Sequence, residues 1–254
     1  MPELNVREAI LYFEDAAGGG RPVVFMHPAS GSSAAWRFQL QPFGAAGYRC
    51  ITYDLRGWGR SRSTSADPGA MSDDLLALVD HLRLDRFSLV GAAYGGFGAL
   101  DFALRFPERL QALVLSGTQA GIADPAYTAV RERVVAAPIR ALPLDFREVG
   151  PSYRTRDPEG VQQWLEIAHA AGEPPPSARQ RTHLRIMLPM LEALRVPTLL
   201  VGGGADLLAP PELMRVFQAH IAEAKMVVFG EAGHCIHWEQ PEAWNREVTQ
   251  FLNR

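Results

Sequence analysis

The chain has 254 residues, of which 47% are hydrophobic and 21% charged, as is typical of a soluble globular protein. Its length suits a single α/β domain with a sizeable core. The formal net charge of −3 gives no electrostatic reason to expect nucleic acid, and no segment approaches the roughly 18 apolar residues of a membrane span. Two cysteines, Cys50 and Cys235, are too few for a disulfide framework. We therefore expect a cytoplasmic protein whose partner is neither nucleic acid nor membrane.

Apolar runs that alternate with helical patterns predict an α/β fold with a mostly parallel sheet. Val23 to Met26 are all apolar, as expected for a strand that is buried on both faces. Residues 16–20 are rich in glycine and predict a turn before this strand. The predicted strands are 10–13, 22–26, 48–53, 87–90, 111–116, 197–201 and 225–229, and the predicted helices between and after them are 34–46, 71–82, 94–106, 210–220 and a terminal helix from Pro241.

The alternation stops between residues 117 and 195, where no buried strand is predicted. Helical patterns at 126–137, 160–171 and 177–194 are separated by prolines. A helical insertion of this kind covers the strand ends, where ligands bind in open α/β sheets. We therefore expect a core of residues 1–116 and 196–254 with a helical cap of residues 117–195.

Residues 89–98, LVGAAYGGFG, predict a strand that turns sharply into a helix. Such a bend crowds its central residue, so small residues are needed two positions on either side of it, and Gly91 and Gly95 flank Ala93 in this way. The stretch resembles the G-x-S-x-G elbow of the alpha/beta-hydrolases, with alanine at the position of the nucleophile.

Two further motifs resemble the same family and follow in its order of nucleophile, acid and histidine. Asp206 lies in a stretch similar to G-x-x-D-x-x-x-P, and His234 in one similar to G-H-x-x-x-x-E-x-P. The resemblance covers essentially the whole chain except the cap. It implies the alpha/beta-hydrolase fold, with helices on both sides of a mostly parallel sheet, and a Ser-His-Asp mechanism that uses Ala93, Asp206 and His234 as its catalytic positions.

The loop after the second strand resembles the family loop that donates a backbone N–H to the oxyanion hole. The family loop begins His-Gly, whereas Pro28 stands here and has no N–H. The resemblance therefore implies Ala29 as the donor, together with Tyr94 after the elbow.

Four residues are candidates for substrate binding, and one cluster invites comparison with a metal site. His27 either lines the pocket or packs beneath it. His234, Cys235 and His237 lie close in sequence, but the elbow adds no carboxylate or second histidine, so we expect neither metal nor cofactor. The substrate-binding candidates are His27, Ser30, Trp164 and His237.

Two hypotheses explain Ala93. In the first, serine is the natural residue and the alanine is an engineered, inactivating substitution that traps substrate. In the second, alanine is natural, and the His234–Asp206 pair acts without a covalent step in a water-activating hydrolase, a lyase or a cofactor-free oxygenase, or the protein only binds a small molecule. The retained pair and the retained elbow favour the first hypothesis.

The substrate class follows from weaker resemblances. Residues 113–122 are similar to the equivalent segment of the enol-lactonases. Cys235 stands where carbon–carbon bond hydrolases have tryptophan, which disfavours that group. The cap carries several arginines, and we expect most of them to be solvated partners of nearby acids, with one available to a substrate carboxylate. These arginines include Arg131, Arg133, Arg154, Arg156, Arg181 and Arg185. We expect a small, acidic or neutral carboxylic ester or lactone as the partner, and make no prediction of oligomeric state.

Overall fold

A computed structural model of the chain describes residues 2–16 and 20–254, apart from the side chain of Arg140. Residues 17–19 of the predicted turn lie outside the described residues. The described strands form one nine-stranded sheet, and the predicted strands all lie within it. The strands are β1 (Glu3–Val6), β2 (Ala9–Ala16), β3 (Arg21–Met26), β4 (Tyr48–Tyr53), β5 (Arg62–Ser63), β6 (Phe87–Ala92), β7 (Leu110–Ser116), β8 (Thr198–Gly203) and β9 (Lys225–Phe229).

The sheet is mostly parallel, with the order β1-β2-β4-β3-β6-β7-β8-β9 and β5 paired to β2. The pairs that involve β2 are antiparallel, and the pairs from β4 through to β9 are parallel. The sequence did not predict β1 and β5. Both are short and half-exposed or exposed, so neither carries the apolar run that marks the central strands.

Helices cover both faces of the sheet. Successive residues of a strand contribute to opposite faces, so Val24 packs with the core on one side and Val23 with the core on the other. This two-sided burial is the reason that the central strands are apolar at every position. The described helices outside the cap region are α1 (Arg37–Ala45), α2 (Met71–His81), α3 (Gly95–Arg105), α9 (Pro211–Gln218), α10 (Ile236–Glu239) and α11 (Pro241–Leu252).

Between β7 and β8 the described residues form helices and loops rather than a further sheet strand. A single bridge pairs Arg181 with Ala70. Nowhere in the described chain is a helix both long enough and apolar enough to cross a bilayer. The helices of this insertion, which we call the cap, are α4 (Pro125–Val134), α5 (Leu144–Glu148), α6 (Pro151–Arg156), α7 (Pro158–Ala171) and α8 (Leu188–Leu191).

The predicted helix at 177–194 is wrong. Only Leu188–Leu191 is α-helical there, after a three-residue 3-10 turn at Pro176–Ala178. The intervening backbone bonds to the core instead of to itself: the N–H groups of His183 and Leu184 donate to the Asp101 carboxylate at 2.8 and 2.9 Å. The segment has the apolar pattern of a helix, but its hydrogen bonds to the core override this local preference.

Close packing at the elbow generates a stability prediction. A Cβ on Gly95 would lie 2.3 Å from the backbone oxygen of Met26, whereas a Cβ on Gly44, also in a helix, would meet nothing within 4 Å. Gly95→Ala should therefore lower the free energy of unfolding by about 1–3 kcal/mol through overpacking. Gly44→Ala, the matched control, should be neutral or stabilising by up to about 1 kcal/mol. Urea denaturation measures both, and equal effects would contradict the packing argument.

Candidate active site

The elbow holds residue 93 in a conformation that most side chains avoid. Ala93 follows β6 and has φ of 48°, in the left-handed region, where a non-glycine residue costs on the order of 1 kcal/mol. Surrounding groups hold it there: its N–H donates to Ser116 O at 2.9 Å, and its carbonyl oxygen accepts the Thr118 hydroxyl at 2.6 Å. The Ala93 side chain is thereby presented at the end of the sheet.

Small residues around the bend make this geometry possible. A Cβ on Gly91 would lie 2.7 Å from Ala99 Cβ, and one on Gly96 would lie 2.5 Å from Thr118 Oγ1. The first helical turn can therefore approach β6 and the loop after β7 only because these positions lack side chains. The glycine spacing in the sequence reflects this crowding.

His234 and Asp206 form a buried pair. Asp206 Oδ1 and Oδ2 lie 3.0 and 2.9 Å from His234 Nδ1. Asp206 Oδ1 also accepts the N–H groups of Leu208 and Ala209 at 2.8 and 2.9 Å, which fixes the carboxylate. A carboxylate can only accept, so Nδ1 carries the proton and Nε2 of the neutral ring is the proton acceptor.

A small cavity brings the elbow, the pair and the predicted oxyanion loop together. Its volume is about 200 Å³, and it is lined by Ala93 and His234 together with the loop residues Ala29 and Ser30. The N–H groups of Ala29 and Tyr94 are not used in the turn hydrogen bonds of the described residues, so both are available to a ligand oxygen. The lining residues are Ala29, Ser30, Ala93, Tyr94, Phe97, Gly117, Gln119, Glu148, Leu208 and His234.

Of the four candidates for substrate binding, only Ser30 lines this cavity. His27 is fully buried and uses both ring nitrogens: Nε2 accepts Leu55 N–H at 2.8 Å, and Nδ1 lies 2.7 Å from Pro28 O. Burial lowers the pKa of His27, so the ring is neutral. Its hydrogen bonds support the loop that begins at Pro28. The expectation that His27 binds substrate is therefore replaced by a structural role.

Trp164 and His237 also lie away from the cavity. Trp164 is fully buried against Trp238, with ring centroids 5.4 Å apart. The His237 ring packs on Trp36 at 4.6 Å, and burial lowers the pKa of His237 to about 3. Both belong to an aromatic cluster beneath the histidine loop, so we assign them to packing. The described residues contain no group of three or more His, Cys, Asp or Glu that could hold a metal ion.

Glu148, at the end of α5, is a cavity residue that the sequence did not predict. Its side chain is almost fully buried, and its Oε2 lies 3.9 Å from Cys235 Sγ. Burial raises the pKa of Glu148, against the lowering effect of the His234 charge. No motif marks this position, because its place in the site depends on how the cap folds back.

The same stretch of the cap is bonded to the loop that carries His234. The carbonyl oxygen of Glu148 accepts the N–H groups of His234 and Cys235 at 2.8 and 3.1 Å. The buried Glu239 carboxylate accepts the N–H groups of Gly150 and Gly233, each at 3.0 Å. Cap and histidine loop are therefore held together by backbone hydrogen bonds next to the cavity.

Several carboxylates act on the His234 imidazole. Burial by itself lowers the pKa of His234, but the charge and hydrogen bond of Asp206, and then the charges of Glu148 and Glu239, raise it above its ordinary value. The surroundings therefore stabilise an imidazolium at this position. This is what a general base requires once it has accepted a proton.

Comparison with known proteins connects this geometry to a family. The sequence model described as the alpha/beta hydrolase family matches residues 23–247. One similar relative is a 2-hydroxy-6-oxononadienedioate/2-hydroxy-6-oxononatrienedioate hydrolase from Paraburkholderia xenovorans (strain LB400). It is 28% identical over 276 residues, which cover 96% of this chain and 91% of the relative.

Solved structures with the same architecture include two hydrolases. A thermophilic esterase from Thermogutta terrifontis, determined with malate bound, is 29% identical with a TM-score of 0.80 over 96% of this chain and 93% of that chain. The enol-lactonase from Burkholderia xenovorans LB400 has a TM-score of 0.80 over 100% of both chains. Its 23% identity shows a shared fold alone.

The charge environment predicts how His234 titrates. Glu148→Gln removes a negative charge beside the imidazole, so the pKa of His234 should fall. In a form with serine at position 93, His234 must be neutral to act as the base. The pH at which activity rises should therefore fall together with the pKa of His234. NMR titration of the histidine ring protons measures the pKa directly in the alanine protein.

Glu159→Gln is the matched control, because Glu159 is an exposed cap residue in the first turn of α7. It should leave the His234 titration unchanged. Identical His234 titrations in the two variants would contradict a direct effect of Glu148.

Proposed function

Because the chain belongs to the alpha/beta hydrolase family, we propose that it hydrolyses a small carboxylic ester or lactone, with residue 93 as the site of the nucleophile. One observation carries the proposal: the buried His234–Asp206 pair shares a cavity with an elbow that holds residue 93 in the left-handed region. A protein that only binds a small molecule needs neither the strained elbow nor the charge-stabilised imidazole.

In the serine form, each group has a defined task. The hydroxyl at position 93 gives its proton to His234 Nε2 while its oxygen attacks the substrate carbonyl. The N–H groups of Ala29 and Tyr94 bind the oxyanion, and Asp206 stabilises the imidazolium. His234 then protonates the leaving alcohol, and water, deprotonated by the same ring, releases the acid.

Alanine at position 93 removes the nucleophile and leaves the remainder of the site in place. We propose that it replaces a natural serine, so this form binds substrate and turns it over very slowly. The retained support for residue 93 from Ser116 and Thr118 favours this reading, because a methyl group gains nothing from such an arrangement.

The size and surroundings of the cavity favour a small substrate. About 200 Å³ lies below the 300–1,000 Å³ that is typical of pockets for drug-sized ligands, which disfavours long-chain lipids. Relatives give independent support for an acidic substrate, since one is named for a dioate and another is an esterase that was determined with malate. The dioate hydrolase also favours a second candidate, a carbon–carbon bond hydrolase.

A natural alanine is the other alternative, and Glu148 is the observation that favours it. A buried carboxyl beside His234 provides a second acid–base group. His234 would then deprotonate water for direct attack on the carbonyl, and a protonated Glu148 would protonate the leaving group. The lyase, oxygenase and binder alternatives have no comparable support.

Ala93→Ser should restore hydrolysis and raise kcat by about four to six orders of magnitude, because removal of a triad nucleophile costs this much. Steady-state kinetics and mass-spectrometric trapping of an acyl-enzyme provide the measurement. Ala93→Gly, which tolerates the left-handed backbone but has no hydroxyl, should remain as slow as the alanine protein. A fully active alanine protein that serine does not improve would establish the direct-water alternative.

The serine variant should prefer short-chain esters and lactones by about tenfold or more in kcat/KM, since one or two misplaced methylene groups cost about 1–3 kcal/mol in a tight pocket. The comparison panel contains short-chain esters, lactones, long-chain esters and ring-cleavage dienones. Preference for the dienones would establish the second candidate, and preference for long-chain esters would contradict the argument from cavity size.

A further inference from the structure

A second cavity adjoins the first and is lined by an arginine of the cap, Arg131. It also has a volume of about 200 Å³, and it shares two lining residues, Gln119 and Leu208, with the cavity at Ala93. Gln119 Nε2 donates to Leu208 O at 2.6 Å, so these two residues form the boundary between the cavities. On the far side lies Arg131, in the last turn of α4. A ligand that extends from residue 93 past this boundary would enter the cavity that Arg131 lines.

Arg131 differs from the other cap arginines in its surroundings. Arg154, Arg156 and Arg179 donate hydrogen bonds to protein oxygens. Arg131 is half-buried, and no hydrogen-bond acceptor or ion-pair partner of its guanidinium is found among the described residues. The remaining cap arginines without such a partner among the described residues are exposed to water, and these are Arg133, Arg181 and Arg185.

Because Arg131 is half-buried, it is less hydrated than an exposed arginine. An anion in the cavity would supply hydrogen-bond acceptors in place of the water that is excluded. Arginine offers several N–H donors in one plane, which match the two oxygens of a carboxylate. Glu132 also faces this cavity but is exposed, so water screens its charge.

The charges of the two cavities are complementary to one orientation of an acidic substrate. The first cavity contains the buried Glu148 carboxyl beside His234, which disfavours a second carboxylate there. The second cavity contains the unpaired Arg131. An acidic substrate therefore gains most when its carbonyl lies at residue 93 and its free acid at Arg131.

We propose that Arg131 forms an anion subsite for a carboxylate at the far end of the substrate, so that the preferred substrates are monoesters of short dicarboxylic acids, or lactones with a free carboxylate. This inference rests on the proposed function in one respect, the location of the scissile carbonyl at residue 93. It adds the substrate class and the residue that selects it.

The kinetic test uses the Ala93→Ser protein with the monomethyl and dimethyl esters of succinate, glutarate, adipate and pimelate. The ratio of kcat/KM for a monoester to that for its diester reports recognition of the free acid. Arg131→Gln should lower this ratio by about tenfold to a hundredfold at the preferred length, as expected for a lost charge-assisted hydrogen bond. Most of the change should lie in KM, because the subsite is remote from the reacting atoms.

Arg133→Gln is the matched control, since it removes the same charge from the same helix but lies outside the cavity lining. It should leave the ratio unchanged. Equal effects of the two substitutions would show general electrostatic attraction, and an equal loss for monoester and diester in Arg131→Gln would show a structural role. Either result would overturn the proposal.

A binding test separates this inference from the proposed function. Calorimetry with monomethyl glutarate and monomethyl adipate on the alanine protein needs no turnover. Weaker binding to Arg131→Gln, and unchanged binding to Arg133→Gln, would support the subsite even if the serine variant hydrolysed no ester. Equal affinities in all three proteins would overturn the subsite even if the serine variant were a fast esterase.

Discussion

Hydrogen bonds between the cap and the histidine loop hold the geometry of the proposed active site together. Glu148 O accepts His234 N–H, and the Glu239 carboxylate accepts Gly150 and Gly233 N–H. The contact requires glycine, because a Cβ on Gly233 would lie 2.4 Å from Gly150 N. A movement of this part of the cap breaks bonds that position His234. The cap therefore supports the site as well as covering it.

Several buried titratable groups surround His234, the proposed proton acceptor. Burial raises the pKa of Glu239 to about 7, against the lowering effect of its backbone hydrogen bonds, and it raises the pKa of the Cys235 thiol. His237 is almost fully buried, and burial keeps it neutral by lowering its pKa. Among these neighbours, His234 is the histidine whose protonated form is favoured. The electrostatics therefore select one proton acceptor from a crowded set of titratable groups.

The central sheet, the flanking helices and the elbow could be predicted because their signals are local. Strands that are buried on both faces are apolar throughout, and the elbow needs glycine at fixed spacing. The order of Ala93, Asp206 and His234 along the chain then indicated the pair, and in the structure Asp206 and His234 meet. The helix predicted at 177–194 failed because the backbone there makes hydrogen bonds to Asp101, far away in sequence, in place of helical ones.

The sequence by itself determined the fold class and the sharp elbow, since these depend on apolar runs and on small residues at fixed spacing. It indicated Asp206 and His234 through their motifs, which resemble those of the alpha/beta-hydrolases. Only the tertiary structure decided which polar residues face the cavity. It removed His27, Trp164 and His237 from the cavity wall, retained Ser30, and added Glu148 and Gln119. The physical reason is that the helical patterns of the cap indicate its helices but not how these helices pack on the core. Its side chains acquire their roles from long-range backbone contacts, which no local stretch of sequence encodes.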